Sequence, residues 1–311
     1  MKLVTFIRNN RPCPGVMLDD SSILDIQSSY AAYMRQQHEG TAETFGGSVK
    51  ELLEQGEAAL KRVADIVQFA EAQRRQGVDI SAEILPLKTV RLAAPVPNPQ
   101  KIVAIGQNYR DHCLEQNAPI PEYPIIFTKF PTAIIGCGEA ICWDPVLTQK
   151  VDYEAELGVV IGKRAYRVSA EDAFDYVVGY MNANDVSARD LQFGDKQWVR
   201  GKSLDTFAPL GPYLVTKDEI ADPHDLEIHA RLNGNIMQHS NTSNLIFRIP
   251  ALIEFISRAF TLLPGDIILT GTPPGVGVFR DPPVLMKAGD VITIEVEGLG
   301  TLTNPVAAWT C

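Results

Sequence analysis

The sequence lacks paired cysteines and long apolar runs, and each absence excludes a class of protein. Its five cysteines form no CxxC pair, and their odd number argues against a complete disulfide framework, so a reducing compartment fits best. The longest apolar stretches, such as LGVVIG and DIILTG, are far shorter than the roughly 20 residues that a membrane helix needs. We therefore expect a soluble protein without a membrane partner.

Basic charge is also scarce. The chain has 28 Lys and Arg against 38 Asp and Glu, a formal net charge of −10, and no run of Lys and Arg supplies a basic patch. Nucleic acid is therefore a poor candidate partner, because phosphate binding needs such a patch. The N-terminal segment MKLVTFIRNN is typical of an edge strand and lacks the features of a signal or transit peptide. We predict a cytoplasmic location.

The 311 residues are 45% hydrophobic and 21% charged, which is the profile of a globular protein with a substantial core. Residues 1–30 alternate in the manner of strands, whereas residues 49–72 carry apolar side chains at helical spacing. This pattern indicates a small α+β module. It ends where Pro95, Pro97 and Pro99 force an extended segment. We therefore divide the chain into a module at 1–95 and a second domain at 96–311.

The second domain is predicted to be mainly β with some α. From Lys101 onward, short β-like runs such as KIVAIG, ELGVVIG and DVITIEVEG are broken by Gly and Pro. Helical patterns are few and lie chiefly near residues 111–116, 170–174 and 249–259. Without long helices between strands, a doubly wound parallel sheet is disfavoured. A rolled or sandwiched, mostly antiparallel sheet is favoured.

Glu154 and Glu156 lie two residues apart in VDYEAELGVVIG, so on a strand both carboxylates point to the same face. Two adjacent carboxylates repel unless a cation, a proton or an arginine compensates them. The pair is therefore either a metal site or a salt-bridged surface, and the spacing alone favours the solvated surface. Asp185, which ends a strand-like run, reads by itself as a turn former. Together the three offer only oxygen ligands, which suits Mg²⁺, Mn²⁺ or Ca²⁺ and argues against Zn²⁺.

Three further segments carry candidate side chains. His112 and Glu115 are spaced i, i+3, so on a helix they could form a general-base dyad, or simply belong to a solvated helix face. Lys202 follows a glycine between apolar flanks, and its amine could turn inward toward an anion. The loop TGTPPGVG could hold a carboxylate through its backbone N–H groups and the Thr272 hydroxyl, but its spacing is wrong for a dinucleotide fingerprint.

These segments together resemble the fumarylacetoacetate hydrolase superfamily over about residues 100–306. The resemblance rests on five ordered motifs: G-x-N-Y-x-x-H-x-x-E at 106–115, E-x-E at 154–156, NDVSARD at 184–190, GKS at 201–203 and TGTPPGVG at 270–277. Finer features, including DHCLEQNAP, IIFTKF and KQWVRGKSLDTFAPLGP, are similar to the branch called fumarylacetoacetate hydrolase domain-containing protein 2, which also carries a small N-terminal module.

The resemblance implies a β-roll or mixed β-sandwich catalytic domain, usually a homodimer, that needs no organic cofactor. It implies Mg²⁺ or Mn²⁺ bound by Glu154, Glu156 and Asp185. It places His112 and Glu115 as a dyad on a mobile lid, and Lys202 as a further catalytic residue. The side chains that bind substrate would be Arg189, Gln192 and Thr272, the last gripping a carboxylate. Lys129 also matches the branch, but the sequence assigns it no physical role.

A metal held in this way would stabilise the enolate of a small 2-oxo acid, and several reactions pass through such an enolate. The branch resemblance implies oxaloacetate keto–enol tautomerase. An acylpyruvase-type or fumarylpyruvate-type C–C bond hydrolase is the next alternative, and oxaloacetate decarboxylase the third. An anion-binding protein without turnover is also conceivable, but it would have no chemical reason to carry the His112–Glu115 pair.

Overall fold

A computed structural model describes residues 1–37, 45 and 47–309, which leaves Cys311 outside the described part of the chain. Within these residues, the α-helices are α1 (Ile26–Gln37), α2 (Val49–Glu54), α3 (Glu57–Arg75), α4 (Arg110–Glu115), α5 (Arg189–Gly194), α6 (Val199–Lys202) and α7 (Ile249–Ala259). The β-strands are β1 (Lys2–Arg8), β2 (Arg11–Asp19), β3 (Ser22–Asp25), β4 (Ile84–Pro86), β5 (Arg91–Leu92), β6 (Ile102–Gly106), β7 (Ile125–Lys129), β8 (Ile134–Ile135), β9 (Val151–Asp152), β10 (Ala155–Ile161), β11 (Val177–Asn184), β12 (Ser187–Ala188), β13 (Ala208–Thr216), β14 (Glu227–Leu232), β15 (Asn235–Asn241), β16 (Ile267–Leu269), β17 (Val291–Val296) and β18 (Thr301–Pro305).

One large sheet runs through the molecule in the order β4-β3-β2-β1-β13-β11-β10-β16-β6-β7. Two short strands extend it, since β5 pairs with β1 and β8 pairs with β13. Most neighbours are antiparallel, whereas β16 with β6 and β13 with β8 are parallel. The mainly antiparallel, mixed architecture is therefore as predicted.

Strand β1 lies inside this sheet, so the prediction of an edge strand at the N-terminus is wrong. Leu3 pairs with Val16 of β2 on one side and with Leu214 of β13 on the other. Residues 3–6 are all buried, as expected of a strand covered on both faces. The large sheet thus continues across the proposed division between residues 1–95 and 96–311, and that division stays a prediction.

The helix predicted over residues 49–72 is two helices, α2 and α3. They are separated at Gly56, whose φ of +79° cannot continue a right-handed helix. Ser48 caps α2 by accepting a hydrogen bond from the Glu51 N–H. Helices α4 and α7 lie where helical patterns are expected, and the third pattern forms a 3₁₀ turn at Ala173–Tyr176. None of the described helices combines the length and apolar character required to cross a membrane.

A second sheet, of order β15-β14-β17-β18, and helix α7 cover one face of the large sheet. Helices α1 to α3 cover part of the other face. The central strand β10 is consequently buried on both sides: Leu157 and Val159 pack in the core that contains the second sheet, and Val160 packs in the core that contains the helices. Because side chains alternate along a strand, Glu156 lies on the same face as Val160.

Candidate active site

Three carboxylates converge where β10 and β11 meet. Glu154 immediately precedes β10, Glu156 lies on it, and Asp185 immediately follows β11. The pairing of Glu156 with Ala183 brings these strand ends together, and the Asp185 N–H donates to the Glu154 carbonyl at 2.9 Å. One carboxylate oxygen from each residue lies within 4.8 Å of the others, and all three side chains are buried. The burial excludes a solvated surface for the E-x-E pair.

Three buried cations surround the carboxylates unequally. The Lys202 amine lies 2.7 Å from both Glu154 Oε2 and Asp185 Oδ2. Arg189 Nη1 donates to Glu154 Oε1 at 2.6 Å, and Lys129 Nζ lies 2.6 Å from Asp185 Oδ1. Glu156 accepts a 2.8 Å hydrogen bond from the Gly271 N–H, and within the described residues it has no ion pair with a lysine or arginine. The negative charge of Glu156 is therefore the least compensated of the three.

The pKa values follow from this arrangement. Burial raises the pKa of Glu156 well above its ordinary value, and the charges of Asp185 and Glu154 raise it further. Burial also acts on Glu154, but Lys202 and Arg189 outweigh it and lower the pKa of Glu154 to about 2. The ionised form of Glu156 is thus disfavoured by burial and by its two carboxylate neighbours, and a bound cation would stabilise it. An all-oxygen donor set of this kind fits Mg²⁺ or Mn²⁺.

The His112–Glu115 pair forms on α4. His112 Nδ1 lies 2.9 Å from Glu115 Oε2, and Glu115 Oε1 accepts a hydrogen bond of 2.8 Å from the Gly275 N–H. The Gln116 side-chain nitrogen lies 2.5 Å from His112 Nε2. These contacts are consistent with a tautomer in which Nδ1–H donates to Glu115 and Nε2 accepts. The ring nitrogen that could act as a base therefore faces away from its supporting carboxylate.

Arg189 and Gln192 lie on α5, next to the carboxylates. Arg189 Nε donates to Asp152 Oδ2 at 2.9 Å, and its Nη1 donates to Gln192 Oε1 at 3.0 Å. Asp152 also accepts from the Gly277 and Val278 N–H groups, at 2.7 and 3.0 Å. Asp152 thus orients the guanidinium and ties it to the loop that follows β16.

Thr272 lies on that loop, but its hydroxyl already has partners. The hydroxyl donates to the Ala155 carbonyl at 2.9 Å and accepts from Gln238 Nε2 at 2.8 Å. The other end of Gln238 accepts from the Ala155 N–H at 2.8 Å. Because a hydroxyl has one hydrogen, Thr272 would have to release Ala155 before it could donate to a substrate carboxylate.

Lys129 acquires a role that its position in the sequence did not indicate. Its amine is fully buried and contacts Asp185, the Val186 carbonyl and the Lys202 carbonyl. Burial lowers its pKa, and the neighbouring Asp185 charge opposes that effect. Lys129 therefore fixes Asp185 from the side opposite to Lys202.

A cavity of about 150 Å³ opens on these groups. All the predicted site residues line it except Glu115 and Asp185, which lie behind His112 and Lys202 and are bonded to them. The remaining lining residues, to which the sequence assigned no individual role, are Ile105, Gly106, Gln107, Gln116, Phe127, Phe193, Trp198 and Phe279. The predicted residues thus form one site, although the motifs that supply them span residues 106–277.

Asp152 and Gln238 are supporting residues that sequence reasoning missed. Asp152 continues the spacing of the E-x-E pair backwards by two residues, so the extended pattern D-x-E-x-E was an available signal. Gln238 has no comparable signal, because its partners Ala155 and Thr272 lie 83 and 34 positions away along the chain.

The family model described as "Fumarylacetoacetate (FAA) hydrolase C-terminal" matches residues 101–307. "Oxaloacetate tautomerase fahd2, mitochondrial" from Xenopus laevis is 47% identical, with 98% of this chain and 90% of that protein covered. "Oxaloacetate tautomerase YisK" from Bacillus subtilis is 42% identical, with 98% and 100% covered.

Among solved structures, the fumarylacetoacetate hydrolase from psychrophilic Exiguobacterium antarcticum is similar, with a TM-score of 0.81 and 34% identity. The alignment covers 99% of this chain and 100% of that one. The predicted resemblance and the predicted fold class, mainly β with some α in a catalytic domain of this type, are confirmed.

Proposed function

Because the chain belongs to the fumarylacetoacetate hydrolase family, we propose that this enzyme is a Mg²⁺- or Mn²⁺-dependent oxaloacetate keto–enol tautomerase. The relatives named oxaloacetate tautomerase support this choice, since they align with nearly the whole chain. The structural observation that carries it is that one small cavity is lined by His112 and by Glu154 and Glu156 of the carboxylate cluster.

Glu154, Glu156 and Asp185 would hold the metal ion. Bound there, Mg²⁺ or Mn²⁺ would act as a Lewis acid on the 2-oxo group and disperse the negative charge of the enolate. Lys202 contributes a further positive charge at the same place, since burial lowers its pKa but Asp185 and Glu154 outweigh burial and keep it raised. Its amine is therefore a cation that can stabilise anionic oxygen in the cavity.

His112 is the proposed acid–base group. Its Nε2 takes a proton from C3 of the keto acid, and the resulting imidazolium returns a proton to the oxygen on C2, which gives the enol. Glu115 holds Nδ1–H and stabilises the imidazolium between these two transfers. Since Gln116 contacts Nε2 in this structure, the substrate has to displace that amide. Arg189 and Gln192 line the cavity and supply polar contacts for a substrate carboxylate.

A C–C bond hydrolase is the second candidate, favoured by the similar solved structure named as a fumarylacetoacetate hydrolase. Hydrolysis would use the same dyad differently. His112 would take a proton from water, which attacks the distal carbonyl, and Lys202 would protonate the leaving carbon. Tautomerisation requires no such water. Oxaloacetate decarboxylation is the third candidate.

One experiment separates the three reactions. The Mg²⁺-loaded and Mn²⁺-loaded enzyme is incubated with oxaloacetate and with acylpyruvates, and enol absorbance and NMR spectra are recorded on the same samples. A tautomerase accelerates the loss of the oxaloacetate enol without forming pyruvate. Pyruvate with a matching carboxylic acid would identify a hydrolase, and pyruvate with CO₂ a decarboxylase. Inactivity with every substrate would refute all three.

We further propose that the enzyme is a cytoplasmic homodimer that binds neither nucleic acid nor membranes. Exposed apolar side chains at Phe130, Val146 and Leu147 offer surface for a second copy. Sedimentation analysis tests this state, and a monomer at micromolar concentration would refute it.

The Xenopus relative is named as mitochondrial, so cell fractionation tests the location, and recovery with an organelle would contradict the cytoplasmic assignment.

A further inference from the structure

A second group of potential metal ligands lies on the outer face of the four-stranded sheet. His229 on β14 pairs directly with His239 on β15. Their rings stack with centroids 4.6 Å apart and an interplanar angle of 16°. Glu227 precedes His229 by two residues and therefore shares its face. Two adjacent strands thus present two imidazoles and a carboxylate at one point.

The distances in this group suit a small cation. The ligand atoms of the three residues lie within 4.8 Å of one another. Glu227 Oε2 lies 2.9 Å from His239 Nε2 and 4.0 Å from His229 Nε2. Tetrahedral zinc, with bonds of about 2.0–2.1 Å, holds its donor atoms roughly 3.3 Å apart. The two measured separations, 2.9 and 4.0 Å, lie on either side of that value.

Within the described residues, neither ring nitrogen of His229 is committed to a short polar contact. Nδ1 is buried and has no hydrogen-bond partner, and Nε2 lies 4.0 Å from Glu227 Oε2, which is beyond hydrogen-bond distance. The neighbouring Arg231 is paired with Glu295 at 3.3 Å, and Asn241 donates to the second oxygen of Glu227 at 3.2 Å.

We propose that Glu227, His229 and His239 form a second metal site, selective for nitrogen-preferring divalent cations such as Zn²⁺, Co²⁺ or Ni²⁺. Two imidazoles and one carboxylate satisfy the ligand preference of these ions, which the oxygen-only cluster in the cavity does not. Three protein ligands leave a fourth position for water or an external ligand. The two proposed sites would therefore select different ions: the oxygen-only cluster binds Mg²⁺ or Mn²⁺, and this site binds ions that prefer nitrogen ligands.

The site is mechanically connected to the catalytic cavity. On either side of His239, strand alternation turns Gln238 and Ser240 inward. Gln238 holds Thr272, and the Ser240 hydroxyl donates to Asp111 of α4 at 2.6 Å, next to His112. A metal that links β14 to β15 at His239 would therefore stabilise the strand that supports both the loop and the helix of the cavity.

Titration of tag-free protein in excess Mg²⁺ tests the site, with Zn²⁺ followed by calorimetry and Co²⁺ by visible absorption. The test variants are His229→Ala, His239→Ala and Asp185→Asn. Asn235→Ala is the control for an exposed substitution on β15. Circular dichroism checks that each variant is folded. Loss of an outer-shell partner of a metal ligand lowers metal affinity by roughly 10–100-fold. Loss of a ligand itself should cost more, so each histidine variant should bind one of its Zn²⁺ ions more than about 100-fold more weakly than wild type does.

In the expected result, this Zn²⁺ ion and the visible absorption of tetrahedral Co²⁺ are both retained by wild type, Asn235→Ala and Asp185→Asn. Both histidine variants lose the bound Zn²⁺ ion and the Co²⁺ absorption. Zn²⁺ should also raise the thermal unfolding midpoint of Asp185→Asn but not that of the double variant Asp185→Asn with His239→Ala. If the histidine variants titrate like wild type, or if only Asp185→Asn loses binding, the histidine pair is an ordinary hydrogen-bonded surface cluster and the proposal is wrong.

Discussion

Asp185 is held by two buried lysines, one on each carboxylate oxygen. Lys129 Nζ lies 2.6 Å from Oδ1 and Lys202 Nζ lies 2.7 Å from Oδ2, and both amines are almost completely buried. Burying charged groups is costly unless each has a partner, so this arrangement is stable only as a unit. Lys129 does not line the cavity. Its contribution is therefore to the position and stability of Asp185.

Replacing Lys129 by Met should destabilise the metal-free protein by about 3–5 kcal/mol, the usual cost of removing one partner of a buried ion pair. Saturating Mn²⁺ should restore part of this loss, because the cation would compensate Asp185 in place of the lysine. Urea unfolding in EDTA and in Mn²⁺ measures both values. Lys163→Met, which breaks the exposed pair with Glu57, is the control and should leave the curves unchanged. An equal loss in EDTA and Mn²⁺ would contradict the assignment.

Replacing Glu115 by Gln should reduce tautomerase turnover by about 10²–10⁴-fold, the usual contribution of general acid–base catalysis. The neutral amide no longer stabilises the imidazolium form of His112. Binding of oxalate, a planar enolate mimic, should persist in the presence of Mg²⁺, because Glu115 lies outside the carboxylate cluster. Enol decay and calorimetry provide the two measurements.

Glu122→Gln, an exposed substitution in the segment that follows α4, is the matched control for this variant. It should retain both turnover and binding. Turnover that survives unchanged in Glu115→Gln would refute the dyad, and joint loss of turnover and oxalate binding would indicate a disrupted site.

At the scale of elements, the loop after β16 is supported by a bulge in strand β15. Ala230 pairs with Gln238 and Arg231 pairs with Ile236, which leaves Met237 as the extra residue. Gly275 packs against the Met237 carbonyl, where an added Cβ would lie only 2.1 Å from the oxygen. The N–H of the same glycine holds Glu115. Close backbone approach at Gly275 thus connects the second sheet to the dyad.

Gly275→Ala should therefore be more destabilising than Gly289→Ala. Both glycines have positive φ, +100° and +95°, but an added Cβ at Gly289 meets nothing within 4 Å. The Gly289 variant should cost about 1–2 kcal/mol from left-handed strain alone. The Gly275 variant should lose about 1–3 kcal/mol more of its free energy of unfolding, because the added Cβ overpacks the site. It should also lose turnover. Denaturant unfolding and enol assays measure these effects, and equal costs would show that the close approach is unimportant.

At the scale of the molecule, the N-terminal segment and the catalytic region share one core. Leu3, Ile26 and Leu52 pack in the same cluster as Ile102 and Met181, and β1 adds its backbone hydrogen bonds to β13. Neither segment buries its apolar surface alone. The proposed division at residues 95 and 96 therefore separates stretches of chain that depend on each other for stability.

Thermal unfolding should accordingly be a single cooperative transition. All three tryptophans follow residue 95, whereas the longest described helix, Glu57–Arg75, precedes it. Fluorescence therefore reports on the second segment, and helical circular dichroism is weighted toward the first. The two melting curves should coincide. A separate earlier transition by circular dichroism would indicate that residues 1–95 unfold independently.

The sequence by itself determined the features that depend on local periodicity and on motif identity. The two-residue spacing of Glu154 and Glu156 placed both carboxylates on one side of β10, and the apolar spacing of residues 249–259 located α7. The ordered motifs identified the family. These predictions succeed because side-chain direction along a strand or helix is fixed by neighbouring residues.

Only the tertiary structure decided which side chains meet. It buried the carboxylate pair that spacing alone assigned to the surface, gave Lys129 its contact with Asp185, and committed the Thr272 hydroxyl to Ala155. It also placed β1 within the sheet. Such contacts join residues far apart along the chain, and the free energy of burial that selects them depends on the complete set of packed elements rather than on any local pattern.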